Sequence, residues 1–516
     1  MSNSEHSRSS QCPTPKQGCR TAARKLTRRF RLPEDGQAER FAAAQVQICR
    51  EQPDLFPYLY PIQNYVRAGT SLPDSPSSAS IMSKMRQNGG RCLRHLNDIL
   101  PRRTIRADVL LCGVWVWERT QEIRLLDELL TGLLQSGRSV LVLIHRGTTS
   151  HQRLRETATD LDAGRRVTFL DPRGFLGRAS DCLRLDDVPR RTETTLRRIL
   201  DALRPAELTL AASARDPLAW TVRCHAMWTR WASRLRFDTA IVRCHWLPLC
   251  SSVSMTARQR GVPVTTLQQG VISHTMDVPV VADQYVCFGE SSATTLRALD
   301  ADFAEATGRG TQCQEYVPVG SLIDPIEPST PPFEARTLLV IGQFTGWAVD
   351  YYGLEQHQNK LRRLIRRLLE DTSAVERVVI RPHPAAGDSS VWAQLRNEFP
   401  HLVHLSSSHD HPISDDLACS SVALGLFSGA LATAAAWGRP TFFLRTPGGY
   451  ATPDLAPFSA QTGTARELFD QIRSTLSDRK TYREACVASR RAASTYYHQG
   501  DASTFPASRI DELLTL

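Results

Sequence analysis

The residues with the clearest capacity for ligand chemistry follow a predicted strand in the second half of the chain. Residues 377–380 contain three β-branched side chains, and Arg381, Pro382, His383 and Pro384 come directly after them. Proline lacks an amide donor and restricts the residue before it, so the strand ends there. Ligands bind at such carboxyl ends in parallel α/β sheets, where a guanidinium and an imidazole can both donate to phosphate. The alternative is a rigid turn with two exposed polar side chains.

Two more strands of this half end in polar residues. Gln343 follows the strand predicted at 337–342, and Ser428 and Gly429 stand between a strand at 421–427 and a helix. A helix N-terminus offers free amides and a favourable dipole to an anion, and glycine lets the ligand approach the backbone. Taken alone, Ser428 is equally typical of an ordinary N-cap. The predicted nucleotide and phosphate subsite comprises Gln343, Arg381, His383, Ser428 and Gly429.

The elements that would position these residues alternate between strand and helix along two successive halves of the chain. This order predicts right-handed crossovers and parallel sheets, so we expect an α/β fold with two Rossmann-like domains that face a cleft. A proline-rich stretch at 325–332 separates the halves. The predicted domains are a basic leader at 1–106 with a helix at 81–100, an N-terminal Rossmann-like domain at 107–330 and a C-terminal Rossmann-like domain at 331–516.

Positive charge is concentrated in the leader. The chain has 63 Lys and Arg against 53 Asp and Glu, of which residues 1–106 hold 18 and 8, leaving 45 of each in the remainder. A basic, weakly amphipathic segment can rest on an anionic membrane surface, and a solvated, partly disordered tail is the alternative. No nucleic-acid recognition module follows it, so we expect no nucleic-acid partner. Its densest cluster is Arg24, Lys25, Arg28, Arg29 and Arg31.

Composition and cysteine spacing bear on the compartment. With 41% hydrophobic and 22% charged residues, the chain has the composition of a globular protein. No run approaches the roughly 18 apolar residues of a membrane span, and no apolar N-terminal core indicates a secretory signal. The 13 cysteines are scattered without a CxxC pair. This pattern favours reduced, buried thiols in a cytoplasmic protein over a disulfide framework or a zinc site.

An ordered set of short motifs resembles bacterial glycosyltransferases of the GT-B fold. The motifs are LQQGV, ADQYVCFGE, VPVGS, LLVIGQ, VVIRPHP and SGALATAAAWGRP, between residues 238 and 444. More narrowly, they resemble the capsule and lipopolysaccharide group that uses CMP-Kdo or CMP-sialic acid, with related CDP-polyol transferases. The resemblance implies that His383, Arg381, Ser428 and Gly429 contact the nucleotide and its phosphates. It also places Gln268, Gln269 and Gly270 in the cleft or at the acceptor.

The chain departs from these relatives in ways that bear on the donor and on the catalytic base. Its Gln268-Gln269-Gly270 lacks the histidine of the QHG pattern, although His274 lies four residues beyond. In UDP-sugar enzymes an acid in the helix after the serine commonly holds the ribose; here Thr433 and Ala434 stand in its place, which disfavours a UDP donor. A sialyltransferase-type Asp-Asp-Gly motif is also missing.

The catalytic group is expected in the first half, where a base must deprotonate an acceptor hydroxyl or a carboxylate act as nucleophile. Glu118 is the first choice because it follows the first strand and would face the cleft, although it is equally typical of a first-turn helix acid. His274 is the second predicted catalytic residue, and His145 and His245 are weaker candidates. Asp160 and Asp162 have DxD spacing but resemble a helix end.

These observations predict a metal-independent glycosyltransferase without a cofactor, because helix dipoles and cationic groups can neutralise the leaving phosphate. It would pass a sugar from a nucleotide donor, CMP-linked by preference, to a cell-surface polysaccharide or lipopolysaccharide. Its expected location is the cytoplasm, peripheral to the inner membrane through the basic leader. The alternatives are a nucleotide-sugar epimerase of the same fold and a non-catalytic GT-B scaffold in an assembly complex.

Overall fold

The computed structural model describes most of the chain between residues 37 and 497. The described residues are 37–62, 66–68, 104–114, 120–172, 187–211, 214–245, 247–272, 277–311, 313–322, 329, 332–343, 354–371, 374–383, 390–407, 411–445 and 453–497. The helix predicted at 81–100, the cluster at 24–31 and most of the proline-rich stretch lie outside them.

The first lobe contains strands β1 to β11. They are β1 (Val66–Ala68), β2 (Ile105–Arg106), β3 (Val109–Cys112), β4 (Val140–Leu143), β5 (Val167–Leu170), β6 (Leu208–Leu210), β7 (Leu235–Arg236), β8 (Thr239–Arg243), β9 (Val264–Leu267), β10 (Gln284–Cys287) and β11 (Glu315–Pro318). Seven of them form one parallel sheet in the order β11-β10-β9-β8-β3-β4-β5. Every residue of β3, β4, β9 and β10 is buried, as expected for a sheet covered on both faces.

Eight helices belong to the described part of this lobe. They are α1 (Gln37–Glu51), α2 (Phe56–Ile62), α3 (Thr120–Gln135), α4 (Thr149–Asp160), α5 (Asp187–Leu203), α6 (Arg215–Ala232), α7 (Pro248–Gln259) and α8 (Glu290–Thr307). The stripe predicted on α3 is buried, including Leu125, Leu126, Leu129 and Leu130. These helices cover the sheet and bury the apolar runs that the sequence shows.

The second lobe is built on a six-stranded parallel sheet. Its strands are β12 (Thr337–Ile341), β13 (Arg377–Arg381), β14 (Val403–Leu405), β15 (Val422–Gly425), β16 (Thr441–Leu444) and β17 (Thr462–Gly463), in the order β14-β13-β12-β15-β16-β17. The chain moves outward from β12 in one direction and then, at β15, in the other. This reversal is the doubly wound order of a Rossmann-like domain. The predicted fold class, two parallel α/β lobes of the GT-B kind, is therefore confirmed.

Six helices flank this sheet: α9 (Leu354–Glu370), α10 (Ser390–Glu398), α11 (Ile413–Cys419), α12 (Gly429–Ala436), α13 (Ala465–Ser477) and α14 (Arg479–Tyr496). On α9 the predicted division holds, because Leu361, Leu364, Ile365 and Leu368 are buried while its arginines lie toward solvent. Leu338 and Val340 of β12 pack with that helix, whereas Leu339 and Ile341 join the core on the opposite face. The sheet is therefore covered on both sides.

The N-terminal segment differs from the prediction of a leader that ends at residue 106. Helices α1 and α2 pack against α5, α6, α7 and α8, and β1 pairs antiparallel with β6. Phe41, Val46 and Ile48 of α1 are buried in the first-lobe core. The charge count over 1–106 obscured this apolar face by averaging it with the basic residues before it. Residues 37–62 and 66–68 belong to the folded lobe.

The two lobes meet along an aromatic seam. The ring of Phe288, just after β10, lies 6.2 Å from that of Tyr496 on α14, and Tyr496 lies 5.9 Å from Phe458. The linker between the lobes is held at Ser329, whose side chain accepts a hydrogen bond from Arg439 Nη2 at 2.9 Å. The second lobe thus contacts the first at the carboxyl ends of the first-lobe strands. Among the described helices, none combines the length and apolar character needed to cross a membrane.

Candidate functional site

The site begins where β12 separates β13 from β15. Ile341 is the register partner of both Arg381 and Gly425, so the three predicted strand ends lie side by side. Gly425 is required by this packing, because a Cβ there would stand 3.0 Å from the Ile341 carbonyl oxygen. With strands about 4.8 Å apart, the residues after β13 and those after β15 are roughly 10 Å apart. This point is the topological switch of the sheet, where open α/β sheets bind ligands.

Gln343 fastens two of these strand ends together. Its side chain is buried, and its amide Nε2 donates to the carbonyl oxygen of Phe427, the residue before Ser428. Its own carbonyl oxygen accepts a hydrogen bond from Gln358 Nε2 at 2.7 Å. The structure thus shows Gln343 bracing the loop that leads into α12. Its predicted contact with a nucleotide would have to use atoms other than Nε2 and the backbone oxygen, which these two hydrogen bonds occupy.

Ser428 and Gly429 form the start of α12. The Ser428 backbone is extended, and its hydroxyl oxygen accepts a hydrogen bond from the Ala430 amide at 3.2 Å, so it is an N-cap. A Cβ built on Gly429 would meet no atom of the described residues within 4 Å, so with respect to this part of the chain the glycine borders open space. The first turn of the helix can therefore be approached closely by an anion.

A glutamate at Gly429 should block that approach without disturbing the fold. We expect Gly429→Glu to unfold at about the wild-type temperature, because the new side chain enters open space and an acid is favourable at a helix N-terminus. The stabilisation by a nucleoside diphosphate should disappear, since a carboxylate would occupy the anion position. Gly164→Glu is the matched control: that glycine is exposed and also has no atom within 4 Å of its Cβ position. An unchanged nucleotide response in Gly429→Glu would contradict the assignment.

Arg381 does not present the open donor fork that the sequence suggested. Its side chain is 9% exposed, and Nη1 lies 2.6 Å from Asp416 Oδ2 on α11. Nη2 donates to the carbonyl oxygen of His411 at 2.8 Å, and Ser406 Oγ donates to Asp416 Oδ2 at 2.8 Å. The guanidinium is thus engaged by protein groups beneath the site. This gives Arg381 a role in holding the loop that carries His383.

His383 lies two residues beyond Arg381 and is half-buried at the same edge. It is the imidazole of the predicted subsite, and it follows the strand end next to that of β12. Pro384 and the rest of the turn lie outside the described residues.

In the first lobe, the turn after β9 is anchored by the side chain of Gln268. Gln268 is fully buried; its Nε2 donates to Gly270 O at 2.8 Å and to Ser292 Oγ at 3.1 Å, and its Oε1 accepts from the Phe288 amide at 2.7 Å. The expectation that Gln268 lines the cleft is therefore wrong. Its side chain instead holds the turn to β10 and α8 from inside the lobe. Gln269 and Gly270 remain half-buried, and Gly270 borders open space.

The predicted catalytic residues Glu118 and His274 both lie outside the described residues, so their roles stay predictions. Of the weaker candidates, His245 is buried, and burial lowers the pKa of its imidazole to about 4. Its ring is edge-on to Tyr285 at 6.0 Å, which suits a structural histidine. His145 stands at the end of β4 with Nδ1 3.7 Å from Asp171 Oδ1.

The DxD pair is a helix end, as its surroundings suggested. Asp160 is the last residue of α4, and Asp162 follows in a left-handed conformation with φ 47°. Within the described ranges, no group of three or more His, Cys, Asp or Glu side chains is arranged to hold a metal ion.

A buried carboxyl that the sequence analysis missed lies where the lobes meet. Asp454 is fully buried in a 3-10 segment (Pro453–Gln461) after β16, and its Oδ2 accepts a hydrogen bond from the Ile272 amide at 2.8 Å. Burial raises its pKa to about 8. No sequence signal could have identified it, because a Pro-Asp pair in a loop is typical of an ordinary turn.

Comparison with known proteins yields fold likenesses only. No protein-family model and no curated protein matches the chain. A putative UDP-N-acetylglucosamine 2-epimerase from Listeria monocytogenes is 14% identical, with a TM-score of 0.46, over 79% of this chain and 94% of that one. The UDP-GlcNAc 2-epimerase from Neisseria meningitidis bound to UDP-GlcNAc is 11% identical, with a TM-score of 0.46, over 80% and 99%. A glycosyltransferase from Rickettsia africae is 8% identical, with a TM-score of 0.42, over 79% and 98%. At these values the likenesses support no statement about the reaction.

Proposed function

We propose that the protein is a glycosyltransferase that moves a sugar from a nucleotide-activated donor to a cell-surface polysaccharide or lipopolysaccharide. The observation that carries the proposal is the start of α12, an N-capped helix open to an anion at the topological switch point of the second sheet. A diphosphate or monophosphate ester placed there would meet the amides of the first turn, the Ser428 hydroxyl and the His383 imidazole. These groups also suit the charge that develops on the leaving phosphate, so the proposed reaction needs no bound metal.

The donor that we favour is CMP-linked. None of the eight residues of α12 is acidic, and the Thr433 hydroxyl donates to the carbonyl oxygen of Gly429 at 3.2 Å inside the helix. The helix thus offers no carboxylate to a ribose. UDP-sugar enzymes of similar motif pattern commonly hold the ribose with such a carboxylate. This agrees with the motif resemblance to CMP-sugar transferases.

The acceptor would lie across the cleft against the first lobe. Gln269 and Gly270 are the half-buried residues of the turn after β9, and we propose them as part of the acceptor side. Glu118 or His274 would then deprotonate the acceptor hydroxyl in an inverting reaction. We place this reaction on the cytoplasmic side of the inner membrane, with the basic segment before α1 as the contact to anionic lipid.

Thermal unfolding in the presence of CMP, CDP, UDP and GDP tests the nucleotide assignment. A ligand at 100 times its dissociation constant adds about 2.7 kcal/mol to the unfolding free energy, and we expect the largest gain with a cytidine nucleotide. Ser428→Ala and His383→Ala should each reduce that gain. Glu193→Gln, an exposed substitution on α5, is the control and should leave it unchanged.

The same preparation separates the proposed transferase from its alternatives. Transfer to a glycan acceptor, with release of the free nucleotide, is the expected result. Conversion of a nucleotide sugar without any acceptor would indicate an epimerase instead. Stabilisation by nucleotide with neither reaction, across a panel of CMP-sugars and glycan acceptors, would favour a binding scaffold.

A further inference from the structure

Asp454 connects the second lobe to three elements of the seam. Its Oδ2 accepts from the Ile272 amide, two residues beyond Gly270, and lies 3.5 Å from the Tyr496 hydroxyl on α14. Its backbone oxygen accepts from Ser291 Oγ on α8 at 2.7 Å. A single residue of the second lobe thus contacts the turn after β9 and the helix after β10.

The contact with Ile272 is a polar interaction beside the aromatic seam. Phe288, Phe458 and Tyr496 form the nearby seam, and Ile272 itself is buried. Asp454 Oδ1 is inaccessible to solvent, and among the described residues no donor lies within hydrogen-bond distance of it. Burying a carboxyl here costs more free energy than burying an apolar side chain of that size would. We therefore ask what its hydrogen bonds contribute.

The turn that Asp454 contacts is bonded to its own lobe at its start and its middle, where Arg243 Nη2 of β8 donates to the Gln269 carbonyl oxygen at 3.0 Å. Gln268 fixes the start of the turn to β10 and α8, as described above. The end of the turn, at Ile272, is bonded to the other lobe through Asp454 Oδ2. The position of Ile272, at the end of the turn, therefore depends on the second lobe as well as on the first.

We propose that Asp454 is a positioning residue that sets the first-lobe turn 268–272 relative to the nucleotide lobe. The inference rests on the proposed function in one respect, namely that this turn faces the acceptor. As a consequence, the hydrogen bond from Ile272 to Asp454 helps to place the acceptor hydroxyl at the correct distance from a sugar donor bound at α12. Loss of that bond should slow transfer while leaving nucleotide binding intact.

Amide hydrogen exchange and transfer kinetics on the full chain test this positioning role. The variants are Asp454→Asn, which keeps an acceptor oxygen, and Asp454→Leu, which has the same number of side-chain heavy atoms and no acceptor. We expect exchange in a peptide covering 268–272 to accelerate at least tenfold in Asp454→Leu and to stay near wild type in Asp454→Asn. In transfer assays Asp454→Leu should lose at least tenfold in kcat/KM for the acceptor, Asp454→Asn should restore it, and stabilisation by the nucleotide should be equal in both. Tyr496→Phe is the control and should change neither quantity.

Each outcome bears on one proposal. If Asp454→Leu does not fold, Asp454→Ala, which adds no volume, replaces it in the same measurements. Exchange that stays slow without the carboxyl, or fast exchange with undiminished transfer, overturns the positioning role. If no nucleotide stabilises the wild type, the proposed function fails, whereas the exchange data still decide whether Asp454 holds the turn.

Discussion

Replacing Asp416 by leucine should destabilise the second lobe by about 3 to 5 kcal/mol, the usual cost of leaving one partner of a buried ion pair without the other. The carboxylate is buried beside the Arg381 guanidinium at 2.6 Å, and it also accepts a hydrogen bond from Ser406. Without it, a positive charge would remain buried, and its partners among the described residues would be the His411 carbonyl oxygen and the Ser406 hydroxyl at 3.5 Å. Chemical denaturation, followed by circular dichroism, measures the loss.

The neighbouring Asp415 supplies the matched control. It lies in the same first turn of α11 but is exposed, and its oxygen is 4.0 Å from His411 Nδ1. We expect Asp415→Leu to change the unfolding free energy by less than about 0.5 kcal/mol. A cost in Asp416→Leu no greater than that of the control would contradict a structural ion pair.

A double variant separates the charge from the volume. Arg381→Met with Asp416→Leu removes both charges and keeps apolar volume, so it should recover most of the stability lost by Asp416→Leu alone. Because His383 is only two residues away, we also expect Asp416→Leu to weaken the nucleotide response, and the double variant to restore it in part. If the double variant is as unstable as the single one, packing rather than charge dominates at this position.

The strands were predictable because parallel sheets bury both faces and leave continuous apolar runs. The strand predicted at 337–342 corresponds to β12 to within one residue, and the runs at 167–170 and 441–444 correspond to β5 and β16. Helix α8 has a weaker signal, because Asp300 and Asp302 are buried between its apolar residues Leu299 and Phe303. Asp300 is accommodated there by a hydrogen bond from the Tyr316 hydroxyl at 3.1 Å. When a buried acid is paired with a residue far along the sequence, the apolar pattern of its helix is interrupted and the helix is harder to predict.

The site was predictable in its location and less so in the roles of its residues. Strand order brings Gln343, His383 and Ser428 to one edge, and that order follows from the strand–helix alternation. Whether a polar side chain faces a ligand or a protein group depends on partners far along the chain. Asp416 is 35 residues from Arg381, and Phe427 is 84 residues from Gln343. Residue type indicates which bonds are available, and only the packed structure shows where they are made.

Asparagine at position 454 should make the protein more stable than wild type at alkaline pH. Burial raises the pKa of Asp454 from its ordinary 3.8 to about 8, so the folded state binds a proton that the unfolded chain releases. The stability that this proton provides is fully present below about pH 4 and is lost as pH rises through 8. Asparagine stays neutral and avoids that loss, which corresponds to roughly 6 kcal/mol at about 1.4 kcal/mol per pH unit.

Unfolding free energies of the two proteins between pH 4 and pH 9 provide the measurement. The other ionisable groups facing this carboxyl are Asp277, Tyr496 and Cys287, and they are the same in both proteins. The difference between the variant and the wild type therefore isolates Asp454. We expect the difference to grow steadily from pH 4 to about pH 8 and then to level off, because the wild-type carboxyl is ionised in both states above that value. A difference that is constant over this range would mean that Asp454 is ionised in the folded protein at neutral pH, with its charge stabilised by the Ile272 amide and by solvent reaching the seam.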